Sequence, residues 1–203
     1  MPSAEVQCTR YDFYTRKALA SYGYCQGHFV SDVNAYVKFA FLDGSCPCEW
    51  RSGVKHDCAK VLELKQVFTG LWRNGLNDTV ALEDDLIFPL VKSADLKPSK
   101  ELVASRYLLL PQRRITDDTA ALAHSHPLTY AYLMAHASYL DGRRSSIYRR
   151  RPRFAVFGLG DYSFMPYKVA IAGLSKEPHF VLLSPQQGKP ILVDDTCYQL
   201  AFK

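Results

Sequence analysis

Phe154-Ala-Val-Phe-Gly-Leu-Gly-Asp-Tyr-Ser-Phe-Met-Pro-Tyr167 is the stretch that decides between two folds. An apolar run entering a Gly-x-Gly turn can open a nucleotide-binding α/β unit, provided that a helix follows the glycines. Here the residues after Gly160 are aromatic and are interrupted by Pro166, which lacks a helical donor. Only 43 residues lie beyond Gly160, too few for several further strand–helix units. The stretch reads instead as a tight turn between two strands, with no nucleotide bound at its loop.

Working outward, the C-terminal texture agrees. Phe154–Phe157, Lys168–Ala172, Phe180–Leu183, Ile191–Val193 and Tyr198–Phe202 are short aliphatic and aromatic runs separated by Gly and Pro, as in an antiparallel sheet. Upstream, the clearest helix runs from about Leu128 to Leu140, with Ser125 as its cap, Pro127 in its first turn and Gly142 at its end. A shorter helix is expected near Asp117–Ala123. In the N-terminal half, Val33, Ala35, Val37, Phe39 and Phe41 alternate as in a strand ending at Asp43-Gly44. Asn74-Gly75 is a turn signal between an apolar–polar mixture at Val61–Phe68 and a strand at Thr79–Leu82. Residues 1–27 have no firm periodicity. The expected class is α+β: mainly antiparallel short strands with two or three helices in a single compact domain.

Composition sets the outer limits. A hydrophobic fraction of 48% with 22% charged residues belongs to a globular chain and excludes disorder as the default. The longest apolar stretches, such as Tyr107–Pro111, fall far short of the ~20 residues that cross a bilayer. Met1–Thr15 lacks the apolar core of a secretory signal, so a cytoplasmic location without a membrane partner is expected, with reduced cysteines. Cys46, Cys48, His56 and Cys58 offer four zinc ligands within thirteen residues, but at pair spacings that structural zinc sites do not favour. Buried thiols acting as small hydrophobes are the alternative.

The net charge of +5 is concentrated in one segment. Residues 106–153 hold nine Arg, no Lys and three Asp, and six of those Arg fall between Arg143 and Arg153. The planar fork of arginine suits phosphate and the guanine edge, and the interleaved Ser145, Ser146 and Tyr148 carry hydroxyls that bond phosphate oxygens. The competing reading is a solvated loop that neutralises a helix C-terminus. No G-x-S-x-G elbow, H-E-x-x-H helix or phosphate-binding loop occurs. Asp84-Asp85 and Asp194-Asp195, with Lys168 as charge stabiliser, would serve a metal-dependent nuclease, although adjacent carboxylates on a strand face opposite ways.

Longer phrases carry a family resemblance. Trp50-Arg-Ser-Gly-Val-Lys-His-Asp-Cys58 with Lys60-Val61 and Glu63-Leu64 resembles the segment after the catalytic domain in type II adenine-specific DNA methyltransferases. Pro89-Leu-Val-Lys-Ser-Ala-Asp95 resembles the phrase that opens their target recognition region. Asp141–Tyr148, Phe157–Leu174 and Gly188–Tyr198 follow in the family's order and spacing, so the resemblance covers about residues 28–203. It implies a TaqI-like C-terminal specificity domain that forms one wall of a DNA cleft, while a catalytic domain holds S-adenosylmethionine and receives the adenine rotated out of the duplex.

The departures matter as much. The family's (Asn/Asp/Ser)-Pro-Pro-(Tyr/Phe/Trp) motif is missing, because the chain contains no Pro-Pro pair, and so is the glycine-rich cofactor loop. His28–Phe41 resembles only the final strand region of the catalytic domain. The resemblance therefore implies an N-terminal extension and catalytic remnant at 1–43 and a target recognition domain at 44–203. It further implies double-stranded DNA as partner, no enzyme activity of the chain alone, and S-adenosylmethionine only through a separate catalytic subunit. Expected DNA contacts are Arg143, Arg144, Ser145, Ser146, Tyr148, Arg149, Arg150 and Arg151, with Tyr162 and Lys168 flanking the glycine turn and Arg51 and Lys55 in an earlier loop. For Tyr162, packing into the core is the competing role. The rival functions are the nuclease and a protein-docking subunit of a restriction–modification complex.

Overall fold

Asp32, rather than the alternation after it, sets the local structure near the N-terminus of the computed structural model, which describes residues 7–11, 18–45, 48–97 and 102–202. Its carboxylate accepts from the Ala35 N–H at 2.9 Å and starts helix α1 (Val33–Phe39), so the strand expected over Val33–Phe41 is corrected to a helix and a 3-10 turn. A period of two specifies a strand only where one face is buried. Here Val33 is buried while Val37, Phe39 and Phe41 are exposed. Before α1, β1 (Gln7–Tyr11), β2 (Ala18–Cys25) and β3 (His28–Val30) form an antiparallel sheet where the sequence shows no firm period. Its legible signal is Gln26-Gly27, whose φ values of 48° and 86° make the two-residue turn that matches strand twist. These elements belong to a compact unit of residues 1–47; all later ones belong to a second unit, 48–203.

The second unit begins with β4 (Arg51–Ser52), the short helix α2 (Ala59–Leu62), β5 (Glu63–Phe68), β6 (Leu71–Asn74) and β7 (Thr79–Ala81). It continues with β8 (Ile87–Val91) and β9 (Arg106–Leu109), then three helices, then β10 (Tyr167–Ala172), β11 (Val181–Leu183), β12 (Leu192–Val193) and β13 (Cys197–Phe202). One sheet runs β12-β8-β9-β5-β6-β7 and the other β11-β10-β13-β4. All pairs are antiparallel except β12 with β8, so the α+β class is as expected. The larger sheet packs Leu64, Trp72, Phe88 and Leu108 against Leu133, Leu140 and Phe154. A second core gathers Val91, Ala170, Leu183, Ile191 and Val193.

The helical region is α3 (Leu122–Ser125), α4 (Pro127–Ala135) and α5 (Ala137–Asp141). The single helix expected from 128 to 140 is thus divided at His136. The His136 ring Nδ1 lies 2.9 Å from the Tyr132 carbonyl, sharing it with the helical N–H, and Nε2 lies 3.0 Å from Asp78. A side chain competing for the i−4 carbonyl bends or breaks a helix. Ser125 does not cap α4. The Leu128 and Thr129 N–H groups donate to Glu83 at 2.9 and 2.8 Å, so a carboxylate distant in sequence satisfies the helix N-terminus. Gly142 ends α5 as expected.

The deciding stretch of the sequence behaves as a turn. Phe154, Ala155 and Val156 are all buried, and only Phe157 bridges to Lys55, so the expected strand is a core-filling segment with one ladder contact. Gly158 has φ 70°, and a Cβ there would lie 2.2 Å from the Gly53 carbonyl oxygen, so the glycine permits a close backbone crossing. A single 3-10 turn, Asp161–Phe164, follows instead of a helix.

Candidate nucleic-acid interface

The arginine segment leaves the end of α5 and is clamped at its base. Arg143 Nε donates to the Leu140 carbonyl at 2.8 Å, Nη1 to Ala155 at 2.6 Å and His56 at 3.3 Å, and Nη2 to Arg153 at 3.1 Å. Its guanidinium lies 3.7 Å from the centre of the Tyr148 ring. Burial pulls its pKa down while the neighbouring Tyr148 pulls it up. The Tyr148 hydroxyl donates to the Lys55 carbonyl, and its ring meets Phe157 edge-on. Arg153 grips Asp141, with its closest contact at 2.6 Å. Arg143 and Tyr148, expected to touch DNA, are thus committed to holding the loop, because carbonyl acceptors at both ends take up the guanidinium donors.

What the clamp holds outward is different. Arg144, Arg149, Arg150 and Arg151 are exposed and have no carboxylate partner among the described residues. Arg149 closes the single turn Ser146–Tyr148, for which Ser145 is the N-cap residue. With Ser146, Ile147 and Phe157, Arg149–Arg151 line a concavity of about 490 Å³, and the Arg151 guanidinium lies 5.7 Å from the Phe157 ring. Four unpaired guanidinium groups within eight residues attract anions strongly, and their forks match phosphate oxygens.

The other expected contacts are placed differently. Lys168 is 1% exposed and donates to the Ser163 and Ile191 carbonyls at 2.6 and 2.5 Å, so its expected role at DNA is corrected to an internal one. It lies on the same inward face of β10 as buried Ala170. Lys55 sits between Asp57 and Asp195 at 2.8 and 3.0 Å, and those hydrogen bonds raise its pKa, so its charge is already neutralised. Arg51 pairs with Glu49 and lies 5.5 Å from the Tyr162 ring. That half-buried ring packs against Gly160, which favours the packing role over DNA contact.

Metal readings meet a similar correction. Cys46 lies outside the described residues, Cys48 is exposed and Cys58 is buried, with burial raising its thiol pKa. His56 is committed elsewhere: Nδ1 accepts from the Cys58 N–H, leaving Nε2 to donate to Glu63 at 3.2 Å. Asp84 pairs with Lys189, Asp85 with His126 and Asp195 with Lys55, while Asp194 is buried, so the four carboxylates of a nuclease serve separate contacts.

A cluster that sequence reasoning missed joins His56, Glu63, Lys92 and Asp194. Lys92 Nζ lies 2.5 Å from Glu63 and 3.8 Å from Asp194. Burial pushes the Glu63 carboxyl up, but hydrogen bonds from His56 and Lys92 outweigh it and hold its pKa at about 2. The donor atoms of His56, Glu63 and Asp194 lie within 4.8 Å of one another, a grouping that suits a cation, and the Lys92 ammonium provides that charge. The four members come from three separate family-like phrases, His56 and Glu63 sharing one, so the shared signal was their convergence, which linear spacing does not show.

No family model matches the chain. It is 38% identical over 182 residues to the type II methyltransferase M.NspV of Nostoc sp. (strain ATCC 29411 / PCC 7524). The chain is a relative of a type II methyltransferase. The match takes in 89% of this chain but only 38% of that protein, so the chain spans well under half of its relative's length. Among the described residues, no helix is long and apolar enough to cross a membrane.

Lys168 gives this relative of a methyltransferase a pH signature. Burial lowers its pKa from 10.5 to about 7. Between those values the unfolded chain binds more protons than the folded one, so this group makes stability rise with pH; below about 7 its burial cost is fully present. Lys168→Met is expected to remove that rise, on the order of a few kcal/mol between pH 7 and 10. Urea unfolding of both proteins checks it. The readout is the difference between them, because thiols and tyrosines of the unfolded chain also titrate toward the upper end of that range, and parallel curves would refute the assignment.

Proposed function

We propose that the chain is the DNA target recognition module of an adenine-specific DNA methyltransferase in a restriction–modification system, with residues 44–203 forming the recognition region. The observation that carries this reading is the clamped loop presenting Arg144, Arg149, Arg150 and Arg151 without carboxylate partners among the described residues. The likeness to a type II methyltransferase and the ordered family-like phrases support it. In this role the guanidinium forks grip phosphates and set the position of the duplex, while base reading falls to side chains close to the groove. Arg143 and the Asp141–Arg153 pair keep the free arginines from collapsing onto the body of the protein.

The family's Pro-Pro motif does not occur in these 203 residues, so methyl transfer and S-adenosylmethionine binding belong to a separate catalytic chain or to catalytic residues beyond these. Selection from a pool of random duplexes tests the role. Retained DNA is expected to converge on one site, and Arg149→Ala/Arg150→Ala is expected to lower retention of all duplexes alike, as loss of phosphate contacts does. Equal retention by the folded variant would refute the loop's part in it.

A further inference from the structure

A second basic surface lies away from the arginine segment in sequence, on the outward face of the larger sheet. Lys65 on β5 and Arg73 on β6 are direct cross-strand partners, and both are exposed. Like charges directly opposite one another destabilise a sheet. Neither has a carboxylate partner among the described residues. β5 also pairs with β9, with Leu64 opposite Tyr107, and continuing that register sets Arg106 beside Lys65. Three cations thus span three neighbouring strands, although Arg106 is partly neutralised by Asp95 at 3.3 Å.

Backbone geometry adds a fourth. The Gly75 N–H donates to the Lys60 carbonyl at 2.9 Å, and a Cβ at Gly75 would lie 2.9 Å from the Lys60 Cα. The turn after β6 is therefore pressed against α2 and holds Lys60 at the rim. Together these residues line a cleft of about 670 Å³. Glu63, the acidic side chain in that lining, is bound to His56 and Lys92.

We infer that this cleft binds phosphates of the duplex DNA backbone, as a second contact surface; the inference rests on the DNA-recognition reading above. An anion between Lys65 and Arg73 relieves their repulsion, and fork and ammonium donors both suit phosphate oxygens. Among the described residues, the lining contains no aromatic side chain on which a base would stack, which favours a backbone phosphate over a free nucleotide.

The test measures binding of a short duplex by the full chain at several salt concentrations, for the unaltered protein, Lys65→Gln/Arg73→Gln and Arg149→Ala/Arg150→Ala. Loss of two phosphate contacts is expected to reduce the log–log salt slope of the first variant by about 1.8 and its affinity at moderate salt roughly tenfold. Its melting temperature is expected to hold or rise as the like-charge pair is removed. An unchanged slope in this variant, while Arg149→Ala/Arg150→Ala weakens binding, overturns the inference and leaves the recognition role standing. Failure of the unaltered chain to bind DNA overturns both. Titration with inorganic phosphate is the remaining arm: a thermal shift that depends on Lys65 and Arg73, with no effect of the variant on DNA binding, makes the cleft a small-anion site and overturns the assignment to DNA.

Discussion

Arg143→Ala is expected to lower the free energy of unfolding by about 3–5 kcal/mol, because four backbone carbonyls lose a charged donor and three of them, on Leu140, Ala155 and His56, belong to buried residues. Arg143→Lys should recover little, since one ammonium cannot reach carbonyls arrayed around a planar fork. Arg149→Ala and Arg150→Ala, by contrast, should each change stability by no more than about 0.5 kcal/mol, as exposed substitutions usually do. Urea unfolding separates the two classes. A loss below about 1 kcal/mol for Arg143→Ala would mean that the loop is not held by this residue, and the division between clamping and free arginines would fail with it.

Lys92→Met should cost a similar amount, about 3–5 kcal/mol, because it leaves Glu63 and Asp194 facing each other with only His56 between them. The companion Lys92→Met/Glu63→Gln removes one uncompensated charge and should recover a large part of that loss. Absence of rescue would assign the cost to lost packing of the lysine stem. The pH dependence has a definite sign. Glu63 is held at about 2 against an ordinary 4.5, so the stability it contributes is complete above about pH 4.5 and is lost as pH falls toward 2. In Glu63→Gln that acid-side loss should shrink, which chemical denaturation at pH 2–5 measures.

Some of this architecture is legible in the sequence for reasons that can be named. β10, β11 and β13 are short apolar runs punctuated by Gly and Pro, so both their type and their antiparallel pairing follow from local chemistry. The glycine turn was separable from a nucleotide-binding loop because Pro166 forbids the helix that such a loop needs. Local pattern failed where distant groups decide. Glu83 caps α4 from 45 residues away, and nothing near Pro127 announces it. At α1 one Asp32 cap outweighed five alternating apolar residues, of which Val37, Phe39 and Phe41 stay exposed and so supply no buried strand face.

The candidate site divides the same way. Composition located the arginine segment but could not separate Arg143 from Arg144, which are chemically identical neighbours. Only folding brings the carbonyls of His56, Ala155 and Arg153 around the first and leaves the second in solvent. Lys168 likewise reads as a surface cation until its place on the inward face of β10 is known. The Lys65–Arg73 pair was hidden because opposition across a hairpin depends on register, which shifts between Gln66 and Phe68.

The most direct test of DNA recognition is fluorescence anisotropy of a labelled duplex titrated with the purified chain from low to physiological salt, with Arg149→Ala/Arg150→Ala alongside. The predicted result is binding whose logarithm falls linearly with log salt, and a folded variant whose slope is smaller by about 1.8, the value for two phosphate contacts. A folded, unaltered chain that shows no binding at low salt would contradict the account, and the exposed arginines would then have to face a partner other than DNA.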